Sequence, residues 1–363
     1  MKKIPWSPSD IGSEEHDAMI NVIKSGWLTE GKETELFEKE LANYFGAKHV
    51  VAVNNGTSAL ISAMIAEGVK AGEEVIVPAF TFIATINSII SIGAKPVLVD
   101  CDLNNFNVTV DLVKEKINEK TKAIMIVDVA GLPCDLDAFE KLVKEYNLIL
   151  IEDAAEAIGA EYKNKKVGGF NHTSIFSFHM AKDVTTIEGG CVCTNDGEIN
   201  RKLRMIKNHG MQKRYDYGFF GLNLRTTDIQ SALGRVQLKK INKFLETRNR
   251  LADKYKKGLK NCCFQQIPDY ATKHPYMLFG VLVDKNIRDS FIKHLNDNGV
   301  DTRICWPSIF KQDYHSQIFL AGGSLNSEKI ALEIINLPMG NGLSDKDVDY
   351  VIEVFNNFKE KQI

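Results

Sequence analysis

The chain has 363 residues, 44% of them hydrophobic and 25% charged, with a net charge of -2. That length predicts two domains around a sizeable core, and the balanced charge excludes the electrostatic footprint of a nucleic-acid or membrane-surface binder. Seven cysteines stand singly or as Cys191/Cys193 and Cys262-Cys263, with no CxxC pair. Neither a zinc site nor a thioredoxin-type motif is indicated, and reduced thiols in a cytoplasmic protein are expected.

No apolar signal core follows the first residues, which run into Pro5, Ser7 and Pro8. Residues 14–24 and Glu33 to Phe45 are spaced as amphipathic helices stopping at Gly26 and Gly46. Then the period changes. His49 to Val53 predicts a strand, Asn54-Asn55-Gly56 a tight turn, and Thr57 to Glu67 a helix. Val75 to Ala94 carries no charge and is about long enough to span a bilayer, but Pro78, Asn87 and its hydroxyl residues favour a buried strand followed by a buried helix. Strands ending at Val99, Val127 and Ile151 alternate with helices over Val110 to Ile117 and Leu136 to Tyr146. Continuously apolar strands with short connections predict an α/β fold with a mainly parallel central sheet covered on both faces. From Asp228 to Lys260 one long charged helix is expected. Tyr276 to Val283, Ile287 to Asn298, Val300 to Ile304, Ser327 to Ile334 and Ser344 to Phe358 then predict a smaller α+β unit. The division is placed at residues 1–235 and 236–363.

Three strand ends carry unusual residues, and in open α/β sheets such ends converge on the ligand. At Asn54-Asn55-Gly56-Thr57-Ser58, Gly56 permits the turn, and Thr57 or Ser58 caps the helix. Free amides and two hydroxyls there suit a phosphate, although a simple helix cap reads the same way. At Glu152-Asp153-Ala154-Ala155-Glu156, carboxylates end an apolar strand. One could face a ligand cation such as a protonated ring nitrogen, or cap the next helix; no histidine at ligand spacing supports a metal. At Ser177 to Glu188-Gly189-Gly190, one lysine, Lys182, follows an apolar run among small and hydroxyl residues. Apolar surroundings keep such an amine available as a nucleophile or proton shuttle, and Ser177 adds a hydroxyl. A phosphate cradle, an acid for a ring nitrogen and a lysine, in that order, describe the needs of pyridoxal phosphate. Phe82 is the candidate to cover one ring face, with core packing as the alternative. No GxGxxG follows a strand, which excludes a Rossmann-type dehydrogenase.

Nearly the whole chain resembles the DegT/DnrJ/EryC1/StrS family of sugar aminotransferases, of aminotransferase fold type I. The match runs through SGWLTEG, NNGTSAL, PAFTFIAT, EDAAEAIGA, SFHMAKDVTTIEGG and GLNLRTTDIQSALGRVQL. The resemblance implies a three-layer fold, pyridoxal 5'-phosphate as cofactor, and a homodimer with shared active sites. It assigns Lys182 to covalent cofactor attachment and proton transfer, Asp153 to the pyridine nitrogen, and Glu156 to the ring hydroxyl, where relatives often carry glutamine or histidine. Thr57, Ser58 and Ser177 would hold the phosphate and Phe82 would cover the ring. Asn223 matches the residue that reaches the neighbouring subunit's phosphate. His179, Trp27 and Tyr314 are candidate substrate contacts, His179 being equally readable as a packed histidine. Lys182 stands where a dehydratase branch carries histidine, which favours transamination. Asp128 replaces a histidine common in relatives, and Ile304 to His315 departs from the family pattern where relatives meet the sugar nucleotide. The implied reaction moves an amino group from L-glutamate to a nucleotide-linked keto sugar, at C4 of a 4-keto-6-deoxyhexose. The alternatives are a C3-keto sugar, a keto-cyclitol, or a non-catalytic regulatory protein of the same fold.

Overall fold

The computed structural model describes residues 2–316, 318 and 325–358. It begins with α1 (Ser13–Ser25) and α2 (Lys32–Phe45). The alternation that follows is β1 (His49–Val53), α3 (Gly56–Glu67), β2 (Glu74–Pro78), α4 (Ile83–Ser91), β3 (Lys95–Val99), α5 (Val110–Lys114), β4 (Thr121–Val127), α6 (Leu136–Tyr146) and β5 (Ile149–Asp153). Next come the short β6 (Glu161–Tyr162) and β7 (Lys165–Lys166), then β8 (Thr173–Ser177), β9 (Gly190–Thr194) and α7 (Gly197–Lys207). A hairpin, β10 (Met211–Lys213) and β11 (Asp216–Tyr217), leads to α8 (Asp228–Lys239) and α9 (Ile241–Gly258). The remainder is β12 (Cys263–Phe264), β13 (Ala271–Lys273), β14 (Phe279–Leu282), α10 (Arg288–Asp297), α11 (Asp313–Ser316), α12 (Leu325–Glu333), β15 (Ile334–Leu337) and α13 (Asp345–Asn356).

The central sheet has seven strands in the order β1-β9-β8-β5-β4-β2-β3, and β9 alone runs against its neighbours. The uncharged run at 75–94 is the buried β2 followed by α4. Helix α3 buries Ala59, Leu60, Ala63, Met64 and Ala66 between the sheet and α4 and α7. On the opposite face α6 turns in Leu136, Phe139 and Leu142, each fully buried apolar side chain contributing about 1.5–3 kcal/mol. Because β1, β2, β4, β5 and β8 are all parallel in direction, their carboxyl ends open on one edge of the sheet.

The predicted long helix is divided at Lys240, whose ammonium is held by Glu14 and Glu15 of α1. Helix α9 gives Ile241, with Leu245 packed beside it, to the main-sheet side, and Leu251, Ala252 and Tyr255 to a second core around the antiparallel sheet β12-β14-β15. The expected strand at 300–304 is reduced to two bridges, Val300 to Ile4 and Arg303 to Asn336, because its neighbours on the two sides are different segments. The N-terminal segment thus belongs to this second core. Ile4 exchanges backbone hydrogen bonds with Gly299 and Asp301, and Met339 donates to the carbonyl of Trp6 at 2.9 Å. The start of α2 is tied to α8 by one buried carboxylate: Asp228 accepts from the amides of Gly31, Glu33 and Thr34 and from the Thr34 hydroxyl, at 2.8–3.2 Å.

Candidate active site

A cavity of 770 Å³ opens at the carboxyl edge of the sheet. Thr57, Ser58, Phe82, Asp153, Glu156, Ser177, His179 and Lys182 line it, together with Trp6, Arg303, Cys305 and Trp306. Asn223 lies outside it, in a backbone bridge with Asn208. Trp27 and Tyr314 also lie outside this cavity, both exposed, with the Trp27 indole donating to the Glu30 carbonyl.

The turn after β1 differs from expectation in two details. Asn55, not Thr57 or Ser58, caps α3, its side-chain oxygen accepting from the Ser58 amide at 2.8 Å. The two hydroxyls are therefore not consumed by the cap. Gly56 is helical rather than left-handed, and its value is proximity: a Cβ there would lie 3.0 Å from the Cβ of Ser177. Two short chains, from β1 and β8, are thereby closed into a cradle at a helix N-terminus, where amides and the macrodipole favour an anion. Leu224 braces the cradle by accepting from the Asn54 amide at 2.9 Å.

Asp153 ends β5 and is 4% exposed. Its Oδ2 accepts from the Thr85 hydroxyl at 2.8 Å and its Oδ1 from the Ala155 amide at 3.2 Å. Burial pushes its carboxyl up to about 6, against the pull of those donors and of the Lys182 charge. Lys182 follows β8 in a turn, its amide donating to the His179 carbonyl at 2.9 Å. Its ammonium lies 3.4 Å from Glu156 Oε1, and Glu156 Oε2 accepts from the Ala130 amide at 2.8 Å. The next residue anchors the loop: Asp183 is fully buried in an ion pair with Arg248, which also donates to Asn341 and the Tyr276 and Met277 carbonyls. His179 accepts from the Ala181 amide at 3.2 Å and its Nε2 faces Glu188 at 3.8 Å. Phe82 is 51% exposed at the start of α4, its ring 5.0 Å from that of Trp306.

Asp128 does not line the cavity. It is fully buried behind Asp153, donating its amide to the Asp153 carbonyl at 3.1 Å. Burial and then the Glu152 charge push its carboxyl well above the ordinary range. Sequence reasoning missed Thr81, Thr85, Trp6, Arg303, Cys305 and Trp306 at the cavity. The last three fall in or beside the atypical segment after residue 304, and that irregularity was the available signal. No cluster of three or more His, Cys, Asp or Glu residues suited to a metal occurs among the described residues. None of the described helices is long and apolar enough to cross a membrane.

The donor set fits pyridoxal phosphate. The cradle suits its phosphate, the buried Asp153 carboxylate a protonated ring nitrogen, and the lysine its aldehyde. Fold and cavity define a pyridoxal-phosphate-dependent enzyme of the sugar aminotransferase class. The chain belongs to the DegT/DnrJ/EryC1/StrS aminotransferase family, whose model matches residues 9–356. It is 36% identical to GDP-perosamine synthase of Caulobacter vibrioides over 97% of each chain. The structure superposes on DesV of S. venezuelae with a TM-score of 0.94 and 30% identity, covering 98% of both chains. It matches NtdA of Bacillus subtilis, solved with bound cofactor PMP, with a TM-score of 0.90 and 26% identity, covering 98% of this chain and 85% of that one.

Proposed function

We propose that this sugar aminotransferase moves an amino group from L-glutamate to a nucleotide-linked keto sugar, at the C4 ketone of a 4-keto-6-deoxyhexose, for surface-polysaccharide or aminosugar synthesis. The observation that carries the reading is one cavity holding Lys182, Asp153 and a helix N-terminal cradle. The nucleotide-sugar part is supported by the likeness to a GDP-perosamine synthase.

Bound pyridoxal phosphate supplies an electron sink for charge developing on the substrate carbon. The chain does the rest. Thr57, Ser58 and Ser177 bind the phosphate, and Phe82 covers the ring. Asp153 holds the proton on the ring nitrogen. Glu156, carrying the Ala130 amide on one oxygen and facing Lys182 with the other, positions the lysine and meets the ring hydroxyl. Lys182 Nζ takes the α-proton of the donor amino acid and returns a proton to the sugar carbon in the second half of a ping-pong cycle. His179 is the substrate contact within the cavity.

The protein works as a homodimer in the cytoplasm. All seven cysteines are free thiols, which supports a reducing compartment. The β10–β11 hairpin and the loop after it present Tyr215, Tyr217, Phe220 and Leu222 to the outside, an apolar surface suited to a second copy. Asn223, beside that surface and outside its own cavity, serves the partner's phosphate site.

The visible absorption of the protein with pyridoxal phosphate, recorded before and after L-glutamate, tests the reading. A cofactor band that fades with glutamate and returns with one keto sugar is expected, and product analysis assigns the carbon. A band indifferent to glutamate overturns the donor assignment. Return of the band only with a C3-keto sugar or keto-cyclitol overturns the C4 assignment.

A further inference from the structure

Asp153 is a buried carboxylate that must remain ionised to hold a proton on a ring nitrogen, and burial opposes that charge. Two donors hold it from the protein side. One is the backbone amide of Ala155, 3.2 Å from Oδ1, which no side-chain change removes. The other is the Thr85 hydroxyl, 2.8 Å from Oδ2.

That hydroxyl is part of a chain. Thr81 Oγ1 lies 2.8 Å from Thr85 Oγ1, and both residues are 1% exposed. A hydroxyl has one proton to give. Thr85 spends its proton on Asp153, so Thr81 must donate to Thr85, and the run is oriented toward the carboxylate. A neutral Asp153 donating from Oδ2 would require the Thr85 hydroxyl to turn its proton away, although its oxygen is already accepting from Thr81. The arrangement therefore favours the anion, in the rotamer that faces the cavity. The two threonines also frame Phe82: the Thr85 amide donates to the Phe82 carbonyl at 3.1 Å. One turn at the start of α4 thus carries both the aromatic at the cavity wall and the donor to the acid.

We infer that Thr81 and Thr85 form a positioning relay that keeps Asp153 ionised and oriented toward the cofactor ring nitrogen, Thr85 by direct donation and Thr81 by orienting Thr85. The inference rests on the assignment of Asp153 to that nitrogen. The two acts are separable by chemistry. Thr85→Ser keeps the hydroxyl, whereas Thr85→Val keeps the shape and removes it. Thr81→Val frees the Thr85 oxygen from its donor without touching Asp153.

The test strips the wild type, Asp153→Asn, Thr85→Val, Thr85→Ser and Thr81→Val of cofactor and titrates each with pyridoxal phosphate between pH 5 and 9. Apo-protein melting curves identify any variant that fails to fold. In the wild type, affinity falls on the acid side as Asp153 takes a proton. Thr85→Val is expected to weaken binding about tenfold, one charge-assisted hydrogen bond, and to move the acid limb to higher pH by about one unit. Thr81→Val moves it the same way by less, and Thr85→Ser restores wild-type behaviour. Asp153→Asn weakens binding and abolishes the limb. A Thr85→Val protein that binds like the wild type while Asp153→Asn is impaired overturns the relay and leaves the Asp153 assignment standing. Wild-type behaviour of Asp153→Asn overturns both. A Thr85→Ser protein shifted as far as Thr85→Val shows packing rather than donation, and overturns the relay. Should Thr85→Val fail to fold, Thr81→Val decides: an unshifted acid limb overturns the relay.

Discussion

Lys182 faces Glu156 at 3.4 Å in a cavity wall where another acid, Asp153, is held by different donors. The two carboxylates sit among different neighbours, one beside an ammonium and one beside a hydroxyl chain. Replacing Lys182 by alanine removes the group proposed to carry the substrate proton. Turnover of Lys182→Ala is expected to fall by about a thousandfold or more, with the fold retained by circular dichroism. A second residue reports on stability instead. Burial alone would push the His172 imidazolium down, but Glu152 at 3.1 Å and Glu140 at 3.5 Å outweigh it and hold the ring up to about 9. Its folded value lies above the ordinary 6.5, so the charged ring stabilises fully below about pH 6.5, and that contribution is lost as pH rises through 9. Thermal melts from pH 6 to 9.5 should show a contribution on the order of 3 kcal/mol disappearing in the wild type and missing from His172→Gln.

Helix ends, more than helix interiors, shape the site and its supports. Asn55 caps α3 and leaves the Thr57 and Ser58 hydroxyls uncommitted, while Asp228 caps α2 from the start of another helix. Removing Asp228 strands the amides of Gly31, Glu33 and the buried Thr34. Asp228→Ala is expected to lower stability by about 3 kcal/mol in urea unfolding, and Asp228→Asn by less, since it keeps an acceptor. At this scale much was legible in the chain. Uninterrupted apolar runs marked the strands, Asp153 stood out as a polar residue at a strand end, and Lys182 as a lone lysine in the loop after an apolar run. The capping pattern misled at residues 55–58, because Asn, Gly, Thr and Ser in series offer several caps, and only the backbone geometry selects one. The 228–260 helix read as continuous because the break at Lys240 involves neither glycine nor proline; acids from α1 seat that lysine, and tertiary partners leave no local trace. Thr81 and Thr85 were invisible for the same reason: their significance is Asp153, 68 residues after Thr85.

For the molecule as a whole, the hairpin and the loop after it carry an apolar surface that is exposed in the single chain. In the proposed dimer Phe220, 60% exposed here, becomes buried. Phe220→Asp should sediment as a monomer where the wild type sediments as a dimer, and its activity should drop by about tenfold or more, since Asn223 no longer reaches a partner. A monomeric variant with full turnover would refute the shared site. A separate apolar cluster that includes Phe80, Val127, Met277 and Cys305 presses against the cavity, and Arg303 and Trp306 join its wall. That wall was the least readable part of the chain, being assembled from segments with no regular period.

Trp6 lines the cavity, yet its segment is fastened to residues 299–301 and 339–342, and Ser7 and Ser9 donate to the Ala181 and Met180 carbonyls beside the lysine. That wall and its fastenings lie far apart along the chain and meet only in the folded structure. The cavity is therefore closed on that side only when residues 299–301 and 339–342 hold the N-terminal segment in place. A substitution that loosens residues 339–342 thus acts on the cavity around Lys182, although none of those residues lines it.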